Sequence, residues 1–404
     1  MKEERYISLF GFGKTTQAIA KKLDNYKIFD DNVINITQKD EFTIYPASFF
    51  NPDKSIMEIP SPGIPPYNSL IKKAKNLQSD YDFFLPSLHS LLSIWISGTN
   101  GKTTTTKMLQ YIFKNKDAQM GGNVGIPLSS IEKKASIYIL ETSSFTLHYT
   151  NLAKPDIYVL LPLSDDHISW HGSFDSYKQA KLKPLSLMKE GEVILLPYEF
   201  KNEPTNGFKI PYKNSNDLAK YFDIDIKKIN FSEPFLLDAV LALGVSKILF
   251  DECDYALINS FKIDSHRLEE ITDKKGRLWV NDSKGTNVHA TLQAIKKYKD
   301  KKLYHIIGGD DKGADLTPLF AMLKEYNVTV FATGSNKDKI INLSNKYNLT
   351  YYKCDTLQNA VNLINKKLCL NEVALLSPAA SSLDEYLSYK ERGNLFKGLV
   401  SDLS

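Results

Sequence analysis

Short apolar runs recur along the whole chain, each closed by a polar or glycine-rich turn and followed by a helix-like stretch. That alternation constrains the fold more than any other feature. Strands joined through helices run parallel and are covered on both faces, so the expected class is α/β. At 404 residues the chain exceeds what one hydrophobic core usually serves, which predicts two or three domains. Three blocks separate. Residues 1–89 hold the strand RYISLFGFG, the helix KTTQAIAKKL and the strand YKIFDD, and end in the proline-rich IPSPGIPPYNSL. Residues 90–264 hold LLSIWI (91–96), a helix from about Thr103 to Phe113, and the strands SIYILE (136–141) and DIYVLLPL (156–163). Within this block a lysine- and asparagine-rich segment at about 199–230 reads as a variable excursion. Residues 265–404 hold GRLWVNDS, KLYHIIGGDD, NVTVFATGS and EVALLSPAA, each strand-like and followed by a helix candidate.

Charge excludes some function classes. With 51 basic and 47 acidic side chains the net charge is +4, too small for a nucleic-acid groove and no more than an ordinary solvated surface requires. Cys253, Cys354 and Cys369 are odd in number and far apart, forming neither a disulfide framework nor a metal cluster, and a reducing cytoplasm is expected. No stretch approaches the ~20 apolar residues of a membrane span, so no stable membrane insertion is expected.

The strongest motif is Ser97-Gly98-Thr99-Asn100-Gly101-Lys102-Thr103-Thr104, between a strand and a helix. Glycines let backbone N–H groups turn around phosphates, and the helix N-terminus adds partial positive charge. Lys102 would neutralise the β- and γ-phosphates, and the Thr103 hydroxyl would ligate Mg²⁺. The spacing departs from the common form, since Ile96 stands where a glycine is usual. The alternative is a glycine-rich turn with an ordinary lysine. Gly11-Phe12-Gly13, with Asp30 or Asp31 ending the next strand, fits a nucleotide turn near a ribose, but Thr16 replaces the third glycine and an empty tight turn fits equally. Glu141, His167 and Lys181 follow or flank predicted strand ends, where ligands collect in parallel sheets. Together they could hold a Mg²⁺ that clamps a transferring phosphoryl group; singly each reads as a cap, a satisfied histidine or a solvated lysine. Polar loops at 281–287, 308–313 and 377–382 suggest a second ligand surface, although each alone reads as a solvated turn.

In order, SGTNGKTTT, GGNVGIPL, LETSSF, DDHISWHGSFDSYKQAKLKPL, HRLE, NDSKGTN, GGDDKGAD and LSPAASSLDEYLSYKERGNLF resemble the motifs of the Mur ligases, over about residues 95–400. The GFG turn and SPGI (61–64) are similar more loosely, and the last three motifs look most like the D-glutamate-adding branch. The resemblance implies three domains: an N-terminal Rossmann-like domain for a UDP moiety, a central P-loop ATPase-type domain and a C-terminal Rossmann-like domain. It implies that ATP and Mg²⁺ are used to activate the carboxylate of UDP-N-acetylmuramoyl-L-alanine as an acyl phosphate, which the amine of D-glutamate attacks. Carried over residue by residue, Gly98, Thr99, Asn100, Gly101, Lys102, Thr103, Thr104, Arg267 and Asp282 match ATP contacts, Asp282 at the ribose. Thr103, Glu141, His167 and Lys181, the last as a carbamate, match metal ligands. Gly11, Phe12, Gly13, Asp30, Ser61, Gly63, Asn123 and His167 match the UDP-sugar site, and Thr286, Lys312, Ser382 and Tyr389 the D-glutamate pocket. A cytoplasmic monomer is expected.

The resemblance has departures. Where relatives carry H-N-x-x-N, with asparagines near the adenine, this chain has Pro234-Phe235-Leu236-Leu237-Asp238, and Tyr389 stands where phenylalanine is common. A sibling ligase, a folylpolyglutamate synthase or a non-catalytic UDP-sugar-binding regulator are the alternatives. The D-N-P-R motif usual in the diaminopimelate-adding branch is absent.

Overall fold

The computed structural model describes residues 5–87, 91–131 and 135–403. The chain divides into two compact units, Met1–Phe261 and Lys262–Ser404. The boundary expected at 89/90 lies at the edge of residues 88–90, outside those described.

The first unit contains two sheets. Strands β1 (Tyr6–Phe10), β2 (Tyr26–Asp30), β3 (Thr37–Lys39), β4 (Phe42–Pro46) and β5 (Ser55–Pro60) form one, in the order β3-β4-β2-β1-β5. It is parallel except for the β3–β4 pair. Strands β6 (Leu92–Ser97), β7 (Ala118–Gly122), β8 (Ile137–Glu141), β9 (Ile157–Leu160), β10 (Val193–Pro197) and β11 (Phe208–Tyr212) form the other, wholly parallel, in the order β11-β10-β9-β6-β8-β7. Every residue of β8 and β9 is buried, as continuous apolar runs demand when helices cover both faces. Trp95, Tyr138, Leu140, Tyr158 and Leu160 pack with Leu147, Leu182 and Leu185 from the helices to form its core.

Two segments differ from expectation. The run DIYVLLPL is strand only over Ile157–Leu160, because Pro162 lacks an N–H and the chain turns toward the phosphate loop. The segment 199–230 contains edge strand β11 and the helix Ser215–Tyr221. Phe208 on that edge is exposed and only Ile210 and Tyr212 are buried, so the alternation is too short to advertise the strand.

The helix Asp80–Phe84 packs on both cores. Tyr81 sits edge-on to Trp95 at 5.0 Å, while Phe83 and Phe84 reach the first sheet's core. Ser79 caps this helix, and the Asp82 carboxylate accepts the N–H groups of Asn151, Leu152 and Ala153, each at 2.8 Å.

In the second unit β12 (Glu269–Thr272), β13 (Leu278–Asn281), β14 (Leu303–Gly308), β15 (Val328–Thr333), β16 (Thr350–Lys353) and β17 (Val373–Leu376) take the order β12-β13-β17-β14-β15-β16. Only β12–β13 is antiparallel. Trp279, Ile306, Phe331, Val361 and Phe396 form its own core. Among the described residues no helix is long and apolar enough to cross a membrane.

Candidate active site

Strand β6 lies between β8 and β9, the point at which the direction of successive connections reverses, and a crevice opens beyond its carboxyl end. There Gly98–Gly101 turns the chain into the helix Lys102–Ile112. Gly98 (φ +141°) and Gly101 (φ +87°) occupy left-handed backbone, and a Cβ on either would come within 2.5 Å of Leu161. Glycine is required at both positions. The first-turn N–H groups of that helix have no intrahelical acceptor, which with the dipole suits an anion. Lys102 Nζ donates to Gly98 O and Thr99 O, both at 2.9 Å, so its ammonium is held over the loop. Thr99 Oγ1 contacts Tyr177 OH at 2.8 Å and Ser164 O at 3.1 Å. Asn100 and Thr103 are half-buried. Thr104 is 4% exposed, so its side chain is buried beneath the loop. Beneath the loop, Thr105 Oγ1 donates to Asp238 Oδ1 at 2.9 Å. A buried carboxylate thus braces the loop.

The helix Phe174–Leu187 presents Tyr177 and Lys181, four residues apart on one face. Lys181 is 1% exposed; its Nζ lies 2.9 Å from Gly98 O and 3.2 Å from Ser97 Oγ, over the Tyr177 ring. Burial drives its ammonium well below the usual lysine range, and the Lys102 charge adds to that. Glu141 ends β8 beside Ile96 and is 3% exposed. Its Oε1 accepts from Asn123 Nδ2 at 2.7 Å, whereas Oε2 is buried with no hydrogen-bond partner. A desolvated carboxylate oxygen without a donor is costly, and a hard divalent cation is the partner that suits it. The expected metal set combines Glu141 and His167 with the Thr103 hydroxyl and with Lys181 as a carbamate. Among the described residues no three His, Cys, Asp or Glu side chains cluster closely enough to hold a metal ion. Lys181 presents an amine where a carboxylate is needed, and His167 (φ +53°) is exposed, its ring 4.7 Å from that of Phe145.

In the first sheet Gly11, Phe12, Gly13, Asp30 and Ser61 meet at the carboxyl ends of neighbouring strands β2, β1 and β5. Asp30 accepts from Phe12 N at 2.7 Å and from Asn32 N at 2.8 Å, so its carboxylate fixes the turn it was expected to follow. Gly13 abuts Ser61, and Gly63 O accepts from Trp170 Nε1 at 3.1 Å.

In the second unit β13, β17 and β14 are neighbours, which sets the loops at 282–287, 377–382 and 309–313 side by side. Asp310 and Ser381 pair backbone to backbone across two of them. Arg392 is 4% exposed and donates from Nε to Ser283 Oγ at 3.0 Å and from NH2 to Ser283 O at 3.0 Å and Ala380 O at 3.2 Å. Burial lowers its pKa to about 10. Thr286 and Lys312 are exposed, and Lys284 Nζ lies 4.2 Å over the half-buried Tyr389 ring. Ser382 is only 2% exposed because the chain turns over it, Glu385 N and Tyr386 N both bonding to its carbonyl. Its hydroxyl therefore lies beneath the loop surface on which the pocket was expected. Asp282 is buried too, accepting from Ser377 Oγ at 2.7 Å and Leu268 N at 3.3 Å; burial pushes its carboxyl up to about 7. The carboxylate expected at a ribose serves the loop's frame, with Arg267 half-buried nearby.

Sequence reasoning missed Tyr177, Asp238, Arg392 and Trp170. Only Tyr177 carried a usable signal, its four-residue spacing from Lys181 on a predicted helix.

Comparison with known proteins matches residues 96–206 to the Mur ligase middle domain and residues 266–380 to the Mur ligase glutamate ligase domain. The chain is 52% identical to the UDP-N-acetylmuramoylalanine–D-glutamate ligase of Campylobacter jejuni, over 98% of this chain and 100% of that one. It is 44% identical to the Helicobacter pylori enzyme of the same name, over 98% and 99%. The MurF ligase of Thermotoga maritima, solved in complex with ADP, superposes with a TM-score of 0.60 at 16% identity, covering 99% of this chain and 98% of that one. Escherichia coli FolC, solved with DHPP and ADP, gives 0.57 at 13% identity, covering 84% and 99%. The fold is therefore shared by proteins of different names at low identity, and full-length sequence identity is what separates the branches. On that identity, the chain belongs to the Mur ligase family, in its UDP-N-acetylmuramoylalanine–D-glutamate ligase branch.

Proposed function

We propose that this ligase joins D-glutamate to UDP-N-acetylmuramoyl-L-alanine at the expense of ATP, in cytoplasmic peptidoglycan precursor synthesis. The observation that supports it most is Lys181: a desolvated amine set against the carbonyl of a phosphate loop, beside a carboxylate one of whose oxygens lacks a donor. A carboxylate is a poor acyl donor until one oxygen becomes part of a leaving group. The muramoyl-alanine carboxylate attacks the γ-phosphorus of ATP, the bond to ADP breaks, and an acyl phosphate forms. The neutral amine of D-glutamate then adds to the acyl carbon, phosphate leaves with the bonding pair, and the ammonium proton is lost as the amide forms.

In this reading residues 1–89 hold the UDP-sugar, 90–264 the ATP and 265–404 the D-glutamate. Lys102 exchanges its loop carbonyls for phosphate oxygens, and the helix N-terminus behind it favours the same charge. Glu141, His167, the Thr103 hydroxyl and a carbamylated Lys181 would hold Mg²⁺, which when bound supplies positive charge for the transferring phosphoryl group. The free-amine form of Lys181 is the one that reacts with CO₂, and burial favours it. Lys312 and Thr286 offer a cation and a hydroxyl to the dicarboxylate.

Purified protein with ATP, Mg²⁺ and UDP-N-acetylmuramoyl-L-alanine should release phosphate when D-glutamate is added, and not with L-alanine, L-lysine or diaminopimelate. Release with one of those instead would move the substrate assignment.

A further inference from the structure

Two hydrogen bonds tie the loop after β5 to the elements around His167. Trp170 Nε1 donates to Gly63 O at 3.1 Å, and Tyr149 OH donates to Ile64 O at 2.6 Å. Trp170 is 8% exposed and Tyr149 2%, so both donors come from buried side chains and reach out to an exposed Gly63 and a half-buried Ile64. Within the loop Pro62 has no N–H and Gly63 no side chain, and the one internal backbone bond is Ile64 N to Ser61 O; Ser61 N bonds to Phe10 O on β1, and Ile64 packs on the core beside Phe10. Trp170 lies in the single helical turn Ile168–His171, capped by His167, and its N–H donates to His167 O at 3.0 Å. Its indole stacks on Phe145 (4.4 Å between centroids, 28° between planes), and Phe145 meets the His167 ring at 4.7 Å. A continuous line of contacts thus runs from Gly63 through Trp170 and Phe145 to His167.

We propose that Trp170, assisted by Tyr149, is a positioning residue that fixes the loop Ser61–Ile64 against His167 and thereby sets affinity for the UDP-muramoyl substrate. This rests on the ligase reading above. Trp170→Phe keeps a ring against Phe145 and removes the donor; Tyr149→Phe removes only the hydroxyl. Each removes one side-chain donor from a carbonyl of the loop. Each should raise KM for UDP-N-acetylmuramoyl-L-alanine about 5- to 10-fold, with kcat and the KM values for ATP and D-glutamate within about twofold of wild type. Trp170→Ala, which also removes the stack on Phe145, should lower kcat as well. Unchanged KM for the UDP-sugar in both phenylalanine variants overturns the proposal, as does a parallel rise in all three KM values, the mark of a loosened fold. Failure of the wild-type enzyme to release phosphate with D-glutamate would refute the ligase reading instead. Calorimetric titration of UDP-N-acetylmuramoyl-L-alanine alone onto wild type and Trp170→Phe would then decide the positioning role, equal affinity refuting it.

Discussion

A lysine buried beside a second lysine has two reasons to surrender its proton, desolvation first and repulsion second, and Lys181 has both. Removing it should therefore do more than lighten a side chain. Lys181→Ala should lower kcat about 100-fold or more, on the scale of losing one preorganised charge contact to a transition state. Formate or acetate should restore part of the rate by supplying a carboxylate in the vacated space. Lys181→Arg, permanently cationic and filling that space, should respond to neither; phosphate release assays read all three. At this scale the sequence was partly legible. Lys102, Glu141 and Lys181 stand out by motif, and the strand ends do bring them to one crevice. Arg392 and Asp238 do not stand out, because a charged residue on a helix ordinarily signals a solvated face. Their burial comes from loops and helices distant in sequence, which no local pattern reports.

Loops at adjacent strand ends are only as ordered as whatever binds them together, and in the second unit one guanidinium is part of that binding. Arg392 offers a rigid fork to carbonyls of two loops, adding to the direct ties from Ala379 N to Gly285 O at 3.0 Å and from Ser377 Oγ to Asp282 at 2.7 Å. An ammonium has fewer donors and no plane. Arg392→Lys should raise KM for D-glutamate at least about tenfold while leaving KM for ATP within about threefold, measured by steady-state kinetics. Interior strands such as β8, β9 and β14 were legible as unbroken apolar runs, since both faces are covered. The antiparallel strand β12 and the edge strand β11 were not. Most of their residues are exposed or only half-buried, and their pairing is decided by neighbours outside the local sequence.

The molecule as a whole divides after Phe261, and the second unit has its own sheet and its own apolar core. A fragment of residues 262–404 should fold alone and unfold cooperatively in urea, followed by circular dichroism. Its pH dependence carries a signature of Asp282. Folding raises that carboxyl from 3.8 to about 7, so the native state keeps a proton that the unfolded chain releases. Its stabilising contribution is complete below about pH 4 and fades as pH climbs to about 7. His305 is pushed the opposite way, to about 4, so the informative quantity is a difference between two proteins. Asp282→Asn should match the wild-type fragment near pH 4 and exceed it near pH 7 by roughly 2–4 kcal/mol. The same reasoning about where one body ends bears on the first unit. Because Asp82 gathers three consecutive amides after the helix Ser144–Tyr149, residues 79–84 are anchored to the nucleotide-loop sheet although they precede its first strand. A chimera that borrowed its amino-terminal third from a relative would therefore inherit a foreign clasp if spliced at residue 89, and a native one if spliced just ahead of Ser79.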